Sequence, residues 1–194
     1  MTGLIAGALT GPSMAEPLFP KLYDVVGVAS DDVLNLRAGP ASSADIVGAL
    51  PPDTTGVEVV AKSENDFWLQ VAQPENMAWA AAGYLKVHPT DPDVLFTRKL
   101  SCGGVEPSWT LSVTQGDGAV LSRMDLDDID LPAGLVRESP NMADRYFLDL
   151  GENHAALLAA QSCSDTMSDR IYGLSISLVV DPSKSLSGCC ALVP

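Results

Sequence analysis

Apolar and polar positions alternate at a period of two in short runs along nearly the whole chain. In the front half, Leu34 and Leu36 alternate with Asn35 and Arg37, and Gly39-Pro40 then breaks the run. An apolar stretch from Tyr23 to Ala29 precedes it. Ile46-Val47-Gly48-Ala49-Leu50, Val57-Glu58-Val59-Val60, Phe67-Trp68-Leu69-Gln70-Val71 and Trp79-Ala80-Ala81-Ala82-Gly83-Tyr84-Leu85 follow it. Turn formers separate them: Pro51-Pro52-Asp53, Ser63-Glu64-Asn65-Asp66 and Pro74-Glu75-Asn76. Strands this short and this closely spaced predict a small barrel or sandwich rather than βαβ units. Within the fifth run, Phe67, Leu69 and Val71 share one face, and Trp68 and Gln70 the other. Trp79, at the head of the closing segment, is expected in the core.

His88-Pro89-Thr90-Asp91-Pro92-Asp93 stops any strand or helix and reads as a short, stiff linker. It divides a first domain, 22–87, from a second, 94–194, and no apolar run crosses it to join their cores. The second also alternates: Trp109, Leu111, Val113; then Tyr146, Leu148, Leu150; then Leu174, Ile176, Leu178, Val180. Ala155 to Ala160 suits a helix by composition, but it runs into Cys163 without capping residues and is read as a strand. Met124 to Pro132 is an acidic loop. The fold class is all-β: a small barrel, then a second antiparallel barrel or sandwich.

Composition adds compartment and excludes partners. The net charge is −14, with acids in excess in both halves and no basic stripe, so nucleic acid and anionic lipid are disfavoured. Leu4 to Leu9 is a short apolar run, and Ser13-Met14-Ala15 offers the small residues of a signal-peptide cleavage site, so 1–15 is expected to be a signal peptide that lacks its basic start. No stretch is long enough to span a bilayer, so membrane insertion is not expected. The four cysteines, Cys102, Cys163, Cys189 and Cys190, are all in the second half, and an even number in an exported chain reads as two disulfides. A vicinal Cys189–Cys190 bond is discounted on geometry, which leaves two crossed pairings. There is no C-x-x-C pair, and His154 stands well apart from Cys163, so neither a zinc site nor any other cofactor is expected.

Four constellations bear on chemistry. A Cys–His hydrolase needs a thiolate beside a histidine, and Cys102 or Cys163 with His154 are its candidates; paired cysteines would remove the thiol. Asp125, Asp127, Asp128 and Asp130 lie in one run that water solvates, and Ile129 breaks the spacing of a calcium loop. Ser164, Asp165, Ser168, Asp169 and Arg170 form a dense polar cluster, read as a tight turn in which Arg170 pairs with Asp165 or Asp169. No catalytic residue is assigned. The strongest candidate is an aromatic groove in the first domain: Trp68, Trp79 and Tyr84 give stacking surface, with Asn35, Arg37 and Gln70 as donors at its edge.

The order of runs from Tyr23 to Leu85 resembles the bacterial Src homology 3 domain, a small β-barrel common in cell-envelope proteins. That resemblance implies a peptide-binding groove lined by aromatics, with peptidoglycan the favoured ligand and Arg37 suited to hold a stem-peptide carboxylate. In the second half, Gly104-Val105-Glu106-Pro107-Ser108-Trp109 and Cys163-Ser164-Asp165-Thr166-Met167-Ser168-Asp169-Arg170, with Gly188-Cys189, resemble a family of small bacterial secreted proteins and lipoproteins. Ser108 stands where those carry Phe. Thr166 stands where they carry Gly, which argues against a left-handed turn at that position. This second resemblance implies the pairing Cys163–Cys189 and Cys102–Cys190. Together the readings predict an exported, periplasmic or extracellular, non-catalytic binding protein whose partner is peptidoglycan or an envelope protein. An inhibitor or sensor of cell-wall lytic enzymes is the alternative, and a Cys–His hydrolase a third.

Overall fold

The computed structural model describes residues 19–194, so the expected signal peptide at 1–15 lies outside the described residues. Among them there is no α-helix, only strands, turns and one 3-10 turn. The first sheet holds β1 (Lys21–Val25), β2 (Leu34–Arg37), β3 (Ile46–Leu50), β4 (Val57–Lys62), β5 (Trp68–Ala72), β6 (Met77–Ala81) and β7 (Leu85–Val87). They lie in the order β3-β2-β6-β5-β4-β1-β7, with antiparallel neighbours. Its core is Leu36, Val59, Leu69, Val71, Ala78 and Ala80, with Tyr23, Val25 and Leu85 at the margins.

Three expectations change here. Trp79 is not core: Ala78 and Ala80 turn inward on β6, and strand alternation sends Trp79 to the outer face, half-buried. Phe67 leaves the Leu69–Val71 face and is 71% exposed. It sits in the turn before β5, where Asp66 has φ 60° and the Asn65 side chain accepts the Phe67 N–H at 3.2 Å, so the period of two starts only at Trp68. The Tyr23–Ala29 run ends as a strand at Val25, because Gly27 turns the chain at φ 70°. Tyr84 lies in the 3-10 turn Ala82–Tyr84, between β6 and β7.

The second sheet holds β8 (Lys99–Val105), β9 (Ser108–Thr114), β10 (Gly118–Arg123), β11 (Ile129–Pro132), β12 (Arg137–Ser139), β13 (Met142–Asp149), β14 (Ala155–Ser164), β15 (Ile171–Asp181) and β16 (Lys184–Val193). Their order is β11-β10-β9-β8-β16-β15-β14-β13-β12, antiparallel throughout. The sheet curls around one core in which Trp109, Leu111 and Leu121 join Tyr146, Leu148, Leu158 and Leu174. Ala155–Ala160 is strand: Ala156 and Leu158 are buried while Leu157 is 58% exposed, an alternation a helix would not give. The acidic loop is shorter than expected, because Ile129–Pro132 pairs with β10. Fully buried Gln115 ties the segment before β8 to the residue before β12. Its amide donates to the carbonyls of Leu95 at 3.0 Å and Thr97 at 2.6 Å, and its oxygen accepts the Val136 N–H at 2.8 Å.

Of the two pairings left open, the structure has the one in which Cys102–Cys190 joins β8 to β16 and Cys163–Cys189 joins β14 to β16. Adjacent residues on a strand face opposite ways, so Cys190 bonds within the core and Cys189 on the other face.

The halves are joined by side chains that the 88–93 segment gives no hint of. On β1, Tyr23 and Val25 enter the first core, while Leu22 points the other way and packs into the second. Glu58, the cross-strand partner of Leu22, faces the same way and is 7% exposed. Pro20 packs on Gly173 so closely that a Cβ there would lie 2.6 Å from it. His88 continues the first sheet instead of starting a free linker: its N–H donates to Leu22 at 2.8 Å and its ring hydrogen-bonds Asp24 at 2.7 Å.

Candidate functional site

Of the six groove candidates, the structure brings Asn35, Arg37, Trp68 and Tyr84 around one cavity of about 400 Å³. β2 supplies Asn35 and Arg37, β5 supplies Trp68 and the 3-10 turn supplies Tyr84. The Gly27–Leu34 segment forms the facing wall, with Asp32 and Val33 on it. Tyr84 is 44% exposed and Trp68 half-buried, so each ring offers a face while its far side rests on protein. The Arg37 guanidinium donates to the Ala44 carbonyl at 2.7 Å, which holds the 38–45 loop against β2. Asp32 accepts the Val33 N–H at 2.8 Å and shapes the opposite rim. The cavity therefore has aromatic walls, one cation and one carboxylate, which suits an extended polar chain bearing a carboxylate.

Gln70 and Trp79 are not in that cavity. They sit beside it on the same outer face, because Arg37 on β2 pairs with Trp79 on β6, and Trp79 with Gln70 on β5. Gln70 lines a second cavity of about 200 Å³ between the two sheets. Gly27, Val28, Ala29, Ser42 and Ala81 also line the groove and were missed from sequence. The only signal for them was the turn glycine at 27.

The polar cluster of the second half is a loop docked on the first. Asp165 accepts the Met167 and Ser168 N–H groups at 3.0 Å each and the Tyr172 hydroxyl at 3.3 Å. Those donors, the Met167 N–H foremost, hold its carboxyl below the usual carboxylate range. Thr166 has φ 63°, so the left-handed turn exists without glycine, against expectation. The Asp165 and Ser164 side-chain bonds to the backbone hold it there.

Arg170 pairs with neither Asp165 nor Asp169. It reaches Glu58 of β4 at 3.0 Å and stacks over the Tyr172 ring at 4.6 Å. Glu58 also accepts the Leu192 N–H at 2.8 Å. Burial pushes the Glu58 carboxyl up, against the lowering pull of the Leu192 N–H and the Arg170 charge. The loop gains a further tie where the Asp169 N–H donates to the Glu75 carbonyl at 3.1 Å. A neighbour in sequence cannot compete for Arg170 with a buried carboxylate that has few other partners.

All four cysteines are in disulfides, so His154 has no thiolate beside it; its ring hydrogen-bonds the Glu152 carbonyl at 2.9 Å in the β13–β14 turn. Among the described residues no group of His, Cys, Asp and Glu is arranged to hold a metal ion. No helix among them is long and apolar enough to cross a membrane.

No curated protein and no solved structure matches the chain. A family model does match part of it, over residues 32–86, which takes in β2 to β6 and nearly all of β7 but leaves out β1. Every side chain of the aromatic groove taken from β2, β5 and the 3-10 turn falls inside that span, and the family is the bacterial SH3 domain.

Proposed function

We propose that this protein is a non-catalytic binding protein of the bacterial envelope that holds peptidoglycan by its peptides. The observation that carries the reading is the groove of Trp68, Tyr84, Asn35 and Arg37 within the bacterial SH3 domain. Aromatic faces take the apolar sides of an extended peptide, and a guanidinium takes a carboxylate by paired hydrogen bonds. Two disulfides suit an oxidising compartment outside the cytoplasm.

The test is co-sedimentation with purified sacculi. Trp68→Ala removes one wall of the groove from the outer face and should cut binding about ten-fold. Wild type that stays in the supernatant, or a Trp68→Ala variant that binds as wild type does, would remove the groove from the account.

A further inference from the structure

A second cavity lies near the groove, between the two sheets. Arg37, Trp79, Gln70 and Ala61 are successive cross-strand partners on β2, β6, β5 and β4, so they form one row on the outer face of the sheet. Its first member lines the aromatic groove, and its last two line the cavity between the sheets. Trp68 and Gln70 are alternate residues on the same face of β5, so the two cavities adjoin there. On the far side, the second cavity is walled by β14 and β15, through Gln161, Ser162, Ile171 and Tyr172.

The β14 wall is irregular in a way that matters for binding. Ala160 pairs with Leu174 and Cys163 with Tyr172, so Gln161 and Ser162 together face the single residue Gly173. A bulge of this kind frees backbone hydrogen-bonding groups from the ladder and re-aims side chains. Gln161 is exposed and donates to the Ser175 hydroxyl at 2.9 Å, which leaves its carbonyl oxygen as an acceptor. Amide side chains with released backbone groups recognise peptide bonds. Neither cavity wall can shift freely, because Arg170–Glu58 and Pro20–Gly173 fix the sheets against each other.

We infer that the cavity between the sheets is the continuation of the groove and takes the far end of an extended peptide, so that both halves bind one ligand. The inference rests on the groove reading above. Crossing four strands covers three spacings, about 14 Å, and an extended peptide advances about 3.4 Å per residue. A ligand must therefore be about four residues long to reach from Arg37 to the bulge. Its carboxylate end sits at Arg37, its middle crosses Trp79, and its other end meets Gln70 and Gln161.

The experiment is calorimetry or fluorescence titration with synthetic stem peptides of two and of five residues. Wild type should bind the longer one about ten-fold more tightly. Gln161→Ala and Gln70→Ala should bring the longer peptide close to the affinity of the shorter and leave the shorter unchanged, whereas Trp68→Ala should weaken both. Gln161 is exposed, so its variant is expected to fold. Equal affinity for the two lengths, or a Gln161→Ala variant with no length-dependent loss, overturns the inference and leaves the groove standing. No binding of either peptide by wild type overturns the groove reading and this one with it.

Discussion

The two halves place their aromatic residues in opposite ways. In the second, Trp109 and Tyr146 are 2% and 3% exposed and anchor a core that two disulfides brace. In the first, the core is built from Val, Leu and Ala with Tyr23 as its one buried aromatic, while Trp68, Trp79, Phe67 and Tyr84 all stand on or near the surface. A small barrel that exposes its largest apolar groups gives up burial it can ill spare, since a domain of that size buries only roughly 60% of its unfolded surface. The difference separates a scaffold from a working surface. It also explains why the first half leans on the second through Leu22 and Glu58.

That contrast can be broken most sharply at the disulfides. The Cys102–Cys190 bond spans 88 residues and Cys163–Cys189 spans 26. Loop-closure entropy gives about 4.6 and 3.5 kcal/mol for their loss. Urea denaturation of the paired Ser variants should show that order; a smaller loss for the longer loop would mean that unfolded-state structure outweighs chain entropy.

The aromatics come next. Trp109→Ala should cost about 3–5 kcal/mol, and Trp68→Ala about 1 kcal/mol, because only part of its ring is removed from contact. Comparable losses in thermal melts would erase the distinction between scaffold and surface.

Arg170→Ala tests the joint, and should cost about 3 kcal/mol because Glu58 is left buried without its partner. The pH dependence carries a sign. Glu58 has a raised carboxyl, so the folded state takes up its proton first as pH falls. Its charge therefore weighs against folding above that raised value, and the variant's deficit should shrink as pH falls through it toward the ordinary carboxyl range. Asp165 has the opposite sign: its lowered carboxyl adds stability above the ordinary range, lost in stronger acid. A deficit in Arg170→Ala that stays constant from pH 7 to 4 would show that Glu58 is not what Arg170 neutralises.

The smallest effect is a gain. Thr166 is β-branched and held at φ 63°, so Thr166→Gly should raise stability by about 1 kcal/mol. A loss would show that the threonine side chain contributes more than its backbone strain costs.

Period-two alternation made the strands legible, because one buried face repeats at every second residue. The same rule placed Trp68 and Gln70 on one face of β5. Phe67, which that rule put with Leu69 and Val71, and Trp79, expected in the core as the head of the closing segment, were misplaced for different reasons. At Phe67 a turn had not yet ended. At Trp79 the alanines on either side, which look like filler in the sequence, are the residues that fit the core. Gln115 and the Glu58–Arg170 pair were not legible, since their partners lie far off in the chain and nothing local marks a polar side chain that will be buried. Thr166 shows the limit of reading a turn from its residue type: Asp165 and Ser164 hold the backbone where glycine would have gone unaided.

Strand β1 has a consequence for how such molecules are rearranged. Its neighbouring residues Leu22 and Tyr23 serve two different cores, so the strand belongs to both halves. A recombination that moved the first half into a new chain would carry along an apolar Leu22 and an acidic Glu58 on a wall made for a particular neighbour. In water Leu22 becomes an exposed leucine beside a carboxylate with nothing to pair with. The module can be transplanted only together with its counterpart, or after both positions have been rewritten.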